Sequence, residues 1–170
     1  MSITIVQEDI IMADALDIKY INPFLQATIS IFEMLGMPGG KVGKPSIADL
    51  QFEEDTFLIQ VGVTGAMRGQ VFFRMSDNSS KTIASTMMMG MPVETLDDMA
   101  LSALGELGNM ILGNTATLFS TMGIIFDITP PVSMHGKKLR LTSEVPAISI
   151  PVNINDEEYI RLYICVKENK

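Results

Sequence analysis

Read for the spacing of its apolar residues, the chain has one dominant stretch. Over Leu96–Met122, apolar positions recur with a helical period. At about 100° per residue, Ala100, Leu104, Leu107, Ile111 and Leu118 fall on one side, which predicts a buried stripe. The opposite side carries Ser102, Glu106, Asn109 and Gly113. Thr95 is the expected N-cap, with Asp98 completing a T-x-x-D box. Glu106 and Asn109 stand three residues apart, so a carboxylate and an amide are neighbours on the outward face.

The same criterion divides the rest of the chain. A first helix is expected from Ala15 or Tyr20 to Leu35, with Pro23 favouring a start near Ile21 or Asn22 and Gly36 ending it. Thr56–Thr64 alternates Phe57, Ile59, Val61 and Val63 against Leu58, Gln60, Gly62 and Thr64, the period of a strand. A turn near Gly65 and a second strand over Gly69–Met75 complete a hairpin. Ser76 or Asp77 caps a helix running to about Met89. After the long helix come a strand over Ile124–Thr129, broken by Pro130 and Pro131, and a last hairpin of Val145–Asn153 and Glu158–Lys167 turning at Asn155–Glu157. Ile160, Leu162, Ile164 and Val166 share one face of that hairpin. Ile3–Val6 reads as a short strand and Gly39–Pro45 as a loop. The fold expected is α+β: a mostly antiparallel sheet with two long helices packed on it.

An internal repeat supports pseudo-symmetric halves. An offset of 87 residues matches Asn22 to Asn109, Leu25 to Leu112, Thr28 to Thr115, Phe32 to Phe119 and Gly36 to Gly123. At the position of Glu106 the first copy has Lys19, and its Asn22 is followed by Pro23. Two similar halves therefore carry one carboxylate–amide pair.

Composition narrows the function. A chain of 170 residues, 47% hydrophobic, suits a single domain over residues 1–170, with 1–19 as an N-terminal extension. A net charge of -8 argues against nucleic acid and anionic membrane as partners. The start of the chain lacks a basic signal-peptide region, no apolar run is long enough to span a membrane, and the single cysteine, Cys165, fits a reducing cytoplasm. The 14 methionines include a cluster, Met87, Met88, Met89 and Met91, around Gly90. Methionines fill cores more often than they line adaptable binding surfaces.

Familiar self-contained active sites are missing from the sequence. It has one histidine, His135, expected on a loop, and neither a phosphate-binding glycine loop nor a G-x-S-x-G elbow. An exposed amide and acid have another use: reaching into the site of a partner. An amide can hold a water for in-line attack on a phosphoryl group, and a nearby glutamate can pair with a partner's lysine. Gly105, Gly108 and Gly113 each cost a helix roughly 1 kcal/mol against alanine. A flat face offsets that cost if Gly105 and Gly113 let another backbone approach, with Gly108 nearer the buried side and equally suited to tight packing.

These residues resemble a family. S-A-L-G-E-L-G-N-M (Ser102–Met110), followed by D-I-T-P-P (Asp127–Pro131), is similar to the S-x-x-x-E-x-x-N…P signature of the CheC/CheX/FliY chemotaxis phosphatases. G-K-P at Gly43–Pro45, the V-G-V-T-G-x-x-x-G run at Val61–Gly69 and the methionine–glycine segment around Met88–Pro92 look most like its CheX branch. The resemblance runs from about Asn22 to the C-terminus. It implies hydrolysis of the aspartyl phosphate of a CheY-type response regulator. Asn109 would orient the attacking water and Glu106 would contact a regulator lysine. No cofactor would be bound by this chain, since the Mg²⁺ would be held by the regulator. It also implies a homodimer. Ser102, Gly105 and Gly113 are the expected partner-binding positions. Ser102 either hydrogen-bonds Glu106 or faces water, and the two prolines shape a strand exit. A CheX-like module that binds a receiver without turnover is the alternative.

Overall fold

The computed structural model describes residues 18–169, so the strand expected at Ile3–Val6 and a helix start at Ala15 lie outside the described residues. A 3-10 turn at Ile18–Tyr20 leads into α1 (Asn22–Met34), whose start is set by Pro23 in the first turn. Three short strands follow: β1 (Lys41–Val42), β2 (Ser46–Ala48) and β3 (Gln51–Phe52). The hairpin of β4 (Thr56–Gly65) and β5 (Met67–Ser76) runs into α2 (Asp77–Met87), capped by Ser76, which accepts a hydrogen bond from the Ser79 amide. Then come α3 (Asp98–Thr121), β6 (Phe126–Ile128), β7 (Val132–Gly136), β8 (Leu139–Arg140) and the hairpin of β9 (Ala147–Ile154) and β10 (Glu157–Glu168).

The expected α+β fold is present. The large sheet has the order β1-β9-β10-β5-β4-β6, with β2 also on β9 and β7 also on β4, and every pairing is antiparallel. One face carries the main core. Phe57, Ile59, Val61 and Val63 of β4 and Ile160, Leu162, Ile164 and Val166 of β10 meet Phe24, Leu25, Leu104, Leu107, Ile111 and Phe119 from the helices. The reverse face carries a smaller core of Leu58, Phe72, Tyr163 and Cys165, joined by Leu50 and by Phe52 of the small β3–β8 ribbon. Strand alternation thus sends successive residues of β4 into two different cores.

The repeat is written into the atoms. Thr28 donates to the Phe24 carbonyl at 2.7 Å, and Thr115 donates to the Ile111 carbonyl at 2.7 Å. Both helices end the same way. Gly36 (φ +81°) and Gly123 (φ +71°) take the left-handed conformation that favours glycine. The Met37 amide then reaches the Phe32 carbonyl at 2.9 Å, and the Ile124 amide reaches the Phe119 carbonyl at 3.0 Å. Phe24 packs edge-on against Phe119, 5.6 Å between centroids, where the two helices meet. The halves also exchange edges. β1 and β2 of the first half pair with β9 of the second, while β6 and β7 of the second pair with β4 of the first. β5 and β10 meet in the middle.

Several expectations are corrected. α3 is capped by Asp97, not Thr95: its carboxylate accepts from the Ala100 amide at 2.9 Å. Asp at this position caps better than Thr, and the Asp97 amide is turned back onto the Thr95 carbonyl. Leu118 is only partly buried, and Gly108, Leu112, Thr115 and Phe119 complete the buried side. The stretch Gly39–Pro45 is not all loop, because β9 recruits Lys41–Val42 as a strand. His135 lies on β7 opposite Phe57, not on a loop. The last turn is tighter than expected, with Asn155 (φ +52°) and Asp156 (φ +62°) forming a two-residue turn between β9 and β10. Among the described residues no helix is long and apolar enough to cross a membrane.

Candidate active face

The outward side of α3 is built by what its inward side needs. Ala100, Leu104, Leu107 and Ile111 are fully buried, which fixes the rotation of the helix. Glu106, Asn109 and Ser102 are thereby held exposed on the opposite side. Among the described residues, neither the Glu106 nor the Asn109 side chain is engaged in a hydrogen bond or ion pair. The helix backbone places them, while their hydrogen-bonding groups stay available to a visitor.

The three glycines divide as their angular positions suggest. A Cβ at Gly105 or Gly113 would meet nothing within 4 Å, so these positions leave the outer face low without serving any internal contact. Gly108 is different. It is buried, and a Cβ there would lie 3.2 Å from Ile59 Cγ2, 3.3 Å from Ile59 Cδ1 and 3.8 Å from Pro131 Cβ. Gly108 therefore sets how closely α3 lies on β4.

The Asp127–Pro131 run borders the same region. Thr129 is pinned to β4 at Gly62: its amide donates to the Gly62 carbonyl at 2.9 Å and its hydroxyl accepts from the Gly62 amide at 2.8 Å. This delivers Pro131 to the flank of α3 beside Gly108. The two prolines thus shape the exit between β6 and β7, as expected. Ser102 makes no hydrogen bond to Glu106; it faces outward and borders a hollow of about 480 Å³ lined also by Phe57, Asp98, Leu101, Ser133 and His135. His135 Nε2 also stands 3.8 Å from Asp77 Oδ1 at the start of α2. Its place beside α3 follows from the pairing of β7 with β4, a non-local contact that no short-range pattern reports.

Other chemistry in the molecule lies elsewhere. Cys165 is buried in the smaller core, and burial pushes its thiol up to about 11, which makes it inert near neutrality. A larger hollow of about 510 Å³, lined by Thr64, Arg68, Gln70, Ser143 and Lys167, opens near Cys165, on strand positions that face away from α3. Among the described residues, no three or more His, Cys, Asp or Glu side chains gather to hold a metal ion.

The chain is similar to known proteins over most of its length. The family model described as chemotaxis phosphatase CheX matches residues 57–153, a span that contains all of α3. The CheY-P phosphatase CheX of Thermotoga maritima is 32% identical over 153 residues, 89% of this chain and 98% of that protein. The CheX–CheY–BeF3–Mg+2 complex from Borrelia burgdorferi is similar with a TM-score of 0.70 and 30% identity, covering 89% of this chain and 100% of that one. A CheC-like superfamily protein from Shewanella sp. PV-4 shares the fold with a TM-score of 0.77 at 24% identity, over 89% of this chain and 99% of that one. A three-helix fold on an exchanged-edge antiparallel sheet, with the family model matched over residues 57–153 and a CheX relative 32% identical over 89% of the chain, places this chain in the CheX family of chemotaxis phosphatases.

Proposed function

We propose that this protein hydrolyses the aspartyl phosphate of a CheY-type receiver domain, with Asn109 and Glu106 working inside the receiver's own pocket. The observation that carries this reading is the pair of side chains one helical turn apart on α3, both exposed and both without partners among the described residues, beside glycines that leave the helix face low. The relatives that act on or bind CheY support the receiver as partner.

The reaction needs a water placed in line with the bond from phosphorus to the aspartyl oxygen. The Asn109 carboxamide oxygen accepts a hydrogen bond from that water and leaves a lone pair aimed at phosphorus. The Glu106 carboxylate pairs with a lysine ammonium of the receiver, fixing α3 against the pocket rim. Mg²⁺ would be held by the receiver and not by this chain, and there it would supply charge stabilisation at the phosphoryl oxygens. Water adds to phosphorus, the aspartyl oxygen leaves as a carboxylate, and inorganic phosphate is released. α3 is one continuous helix from its Asp97 cap to Thr121, so its backbone fixes the spacing of both side chains before docking. A homodimer and a cytoplasmic location belong to the same proposal, tested by sedimentation and by cell fractionation.

The experiment is phosphate release from a phosphorylated receiver protein with this chain in catalytic amount. Asn109→Ala should lower turnover by roughly 10²–10³, the loss seen when a positioned hydrogen-bonding group is removed from a reaction centre. Glu106→Ala should fold normally and also lose activity. Full activity in both variants refutes the site. Stoichiometric binding with no phosphate release by the unaltered protein would leave a binding module in place of an enzyme.

A further inference from the structure

The connection between α2 and α3 exposes methionine where a soluble surface ordinarily carries charge. Met89 is 97% exposed, Met91 53% and Met99 59%. Met88, Met91 and Met99 line a concavity of about 290 Å³ together with Pro92, Val93 and the Glu94–Thr95 segment. The sequence gives core filling as the common use of such residues, and these three do not serve it. Met89 is held outward by the helix ending itself: it takes φ +60°, Gly90 follows at +86°, and the Gly90 amide returns to the Ser85 carbonyl at 2.8 Å. A left-handed backbone at a long side chain is uncommon and costs free energy. Here that cost keeps an apolar side chain in water.

Position along α3 says what covers this patch. Met99 precedes Glu106 by seven residues, so the two lie about 20° apart around the helix and about 10 Å apart along it. Asn109 is about 5 Å further on. Met99 and Glu106 therefore share one stripe, with Asn109 about 60° round the helix from Glu106 and on the same exposed side. A protein seated on Glu106 and Asn109 with an ordinary footprint of about 800 Å² spans roughly 30 Å. It reaches Met99 and the concavity behind it.

We infer that Met88, Met89, Met91 and Met99 form an apolar shoulder that docks an apolar surface of the receiver domain beside its phosphorylated pocket. This rests on the function proposed above. The shoulder supplies affinity and leaves the chemistry to Asn109. Unbranched, polarizable side chains suit it, because they repack against a surface without a fixed rotamer. Burying them also keeps bulk water from the pocket rim, as a ring of apolar contacts does around a central polar contact.

The test pairs binding with turnover, using Met91→Ser/Met99→Ser, the more conservative Met91→Leu/Met99→Leu, and Asn109→Ala. Binding is titrated with a CheY-type receiver of the same organism loaded with Mg²⁺ and beryllofluoride as the phosphoryl mimic. Turnover is followed by phosphate release. The serine pair should weaken binding and raise KM at least tenfold with kcat within twofold, and the leucine pair should recover most of the affinity. Asn109→Ala should do the reverse, losing kcat while still binding. Unchanged binding and KM in the serine pair overturn the inference. So does a serine pair that instead changes sedimentation as a dimer-to-monomer shift, which would assign the patch to a second copy of this chain. If Asn109→Ala keeps full turnover while the serine pair loses affinity, the shoulder stands and the catalytic assignment falls. Thermal unfolding of each variant separates a docking defect from a folding defect.

Discussion

Gly105 and Gly113 give the sharpest test of the idea that α3 is kept slim for a visitor. Neither adopts a positive φ, and a Cβ at either would touch nothing within 4 Å. Replacing both by alanine should therefore recover helix propensity without a clash, about 0.8–1.0 kcal/mol at each site. The two positions lie about 12 Å apart along the axis, so the gains should add to roughly 2 kcal/mol. With an unfolding entropy of about 2.1 cal/mol/K per residue, Tm should rise by roughly 5 °C. Leucine retains most of that gain, since its helix propensity is close to that of alanine, but it adds a bulky group to the face. Gly105→Leu/Gly113→Leu should thus be more stable than the parent and at least tenfold worse in kcat/KM on a phosphorylated receiver. Circular dichroism melts and phosphate release read the two effects separately. An alanine pair with no rise in Tm would mean the positions are not open. A leucine pair with full activity would mean that the low face serves no partner.

Further outcomes test the frame around the site. Gly108→Ala should lower Tm despite its better helix propensity, because the added Cβ sits 3.2 Å from Ile59 and overpacking a core costs about 1–3 kcal/mol. Asp97→Ala should destabilise by about 1 kcal/mol through loss of the cap while Thr95→Ala changes little; urea denaturation distinguishes them. Glu158 lies against two arginines facing each other across β5 and β10, Arg74 and Arg161, so Glu158→Ala should destabilise by up to about 1 kcal/mol, less at high salt. Burial raises the Cys165 thiol to about 11, so the unfolded chain loses this proton first as pH rises. The stability due to the protonated thiol is fully present below the ordinary value of 9.0 and is lost between there and about 11. Urea melts at the two ends of that window should show a steeper fall for the parent than for Cys165→Ala.

The legible parts of this protein are those governed by neighbours in the chain. The 3.6-residue period over α3, the two-residue alternation in β4 and the glycines that end α1 and α3 are all local rules, and each element formed where its rule placed it. The outward pairing of Glu106 and Asn109 was legible too, because a helix fixes the angle between positions three apart once its buried side is known. The 87-residue offset was visible as matched letters and became matched hydrogen bonds.

What the sequence could not decide depended on contacts between distant segments. Strands as short as β1, β2, β3 and β8, two or three residues each, carry no period of their own; they are strands because β9 and one another offer them edges. His135 moved from loop to strand for the same reason, through the pairing of β7 with β4. The angular positions of the three glycines of α3 already set Gly108 nearer the buried side, but only the arrival of Ile59 and Pro131 decides that Gly108 serves close packing. Residue spacing sets which side chains share a face; packing alone sets which face meets solvent, because burial is a property of the whole fold.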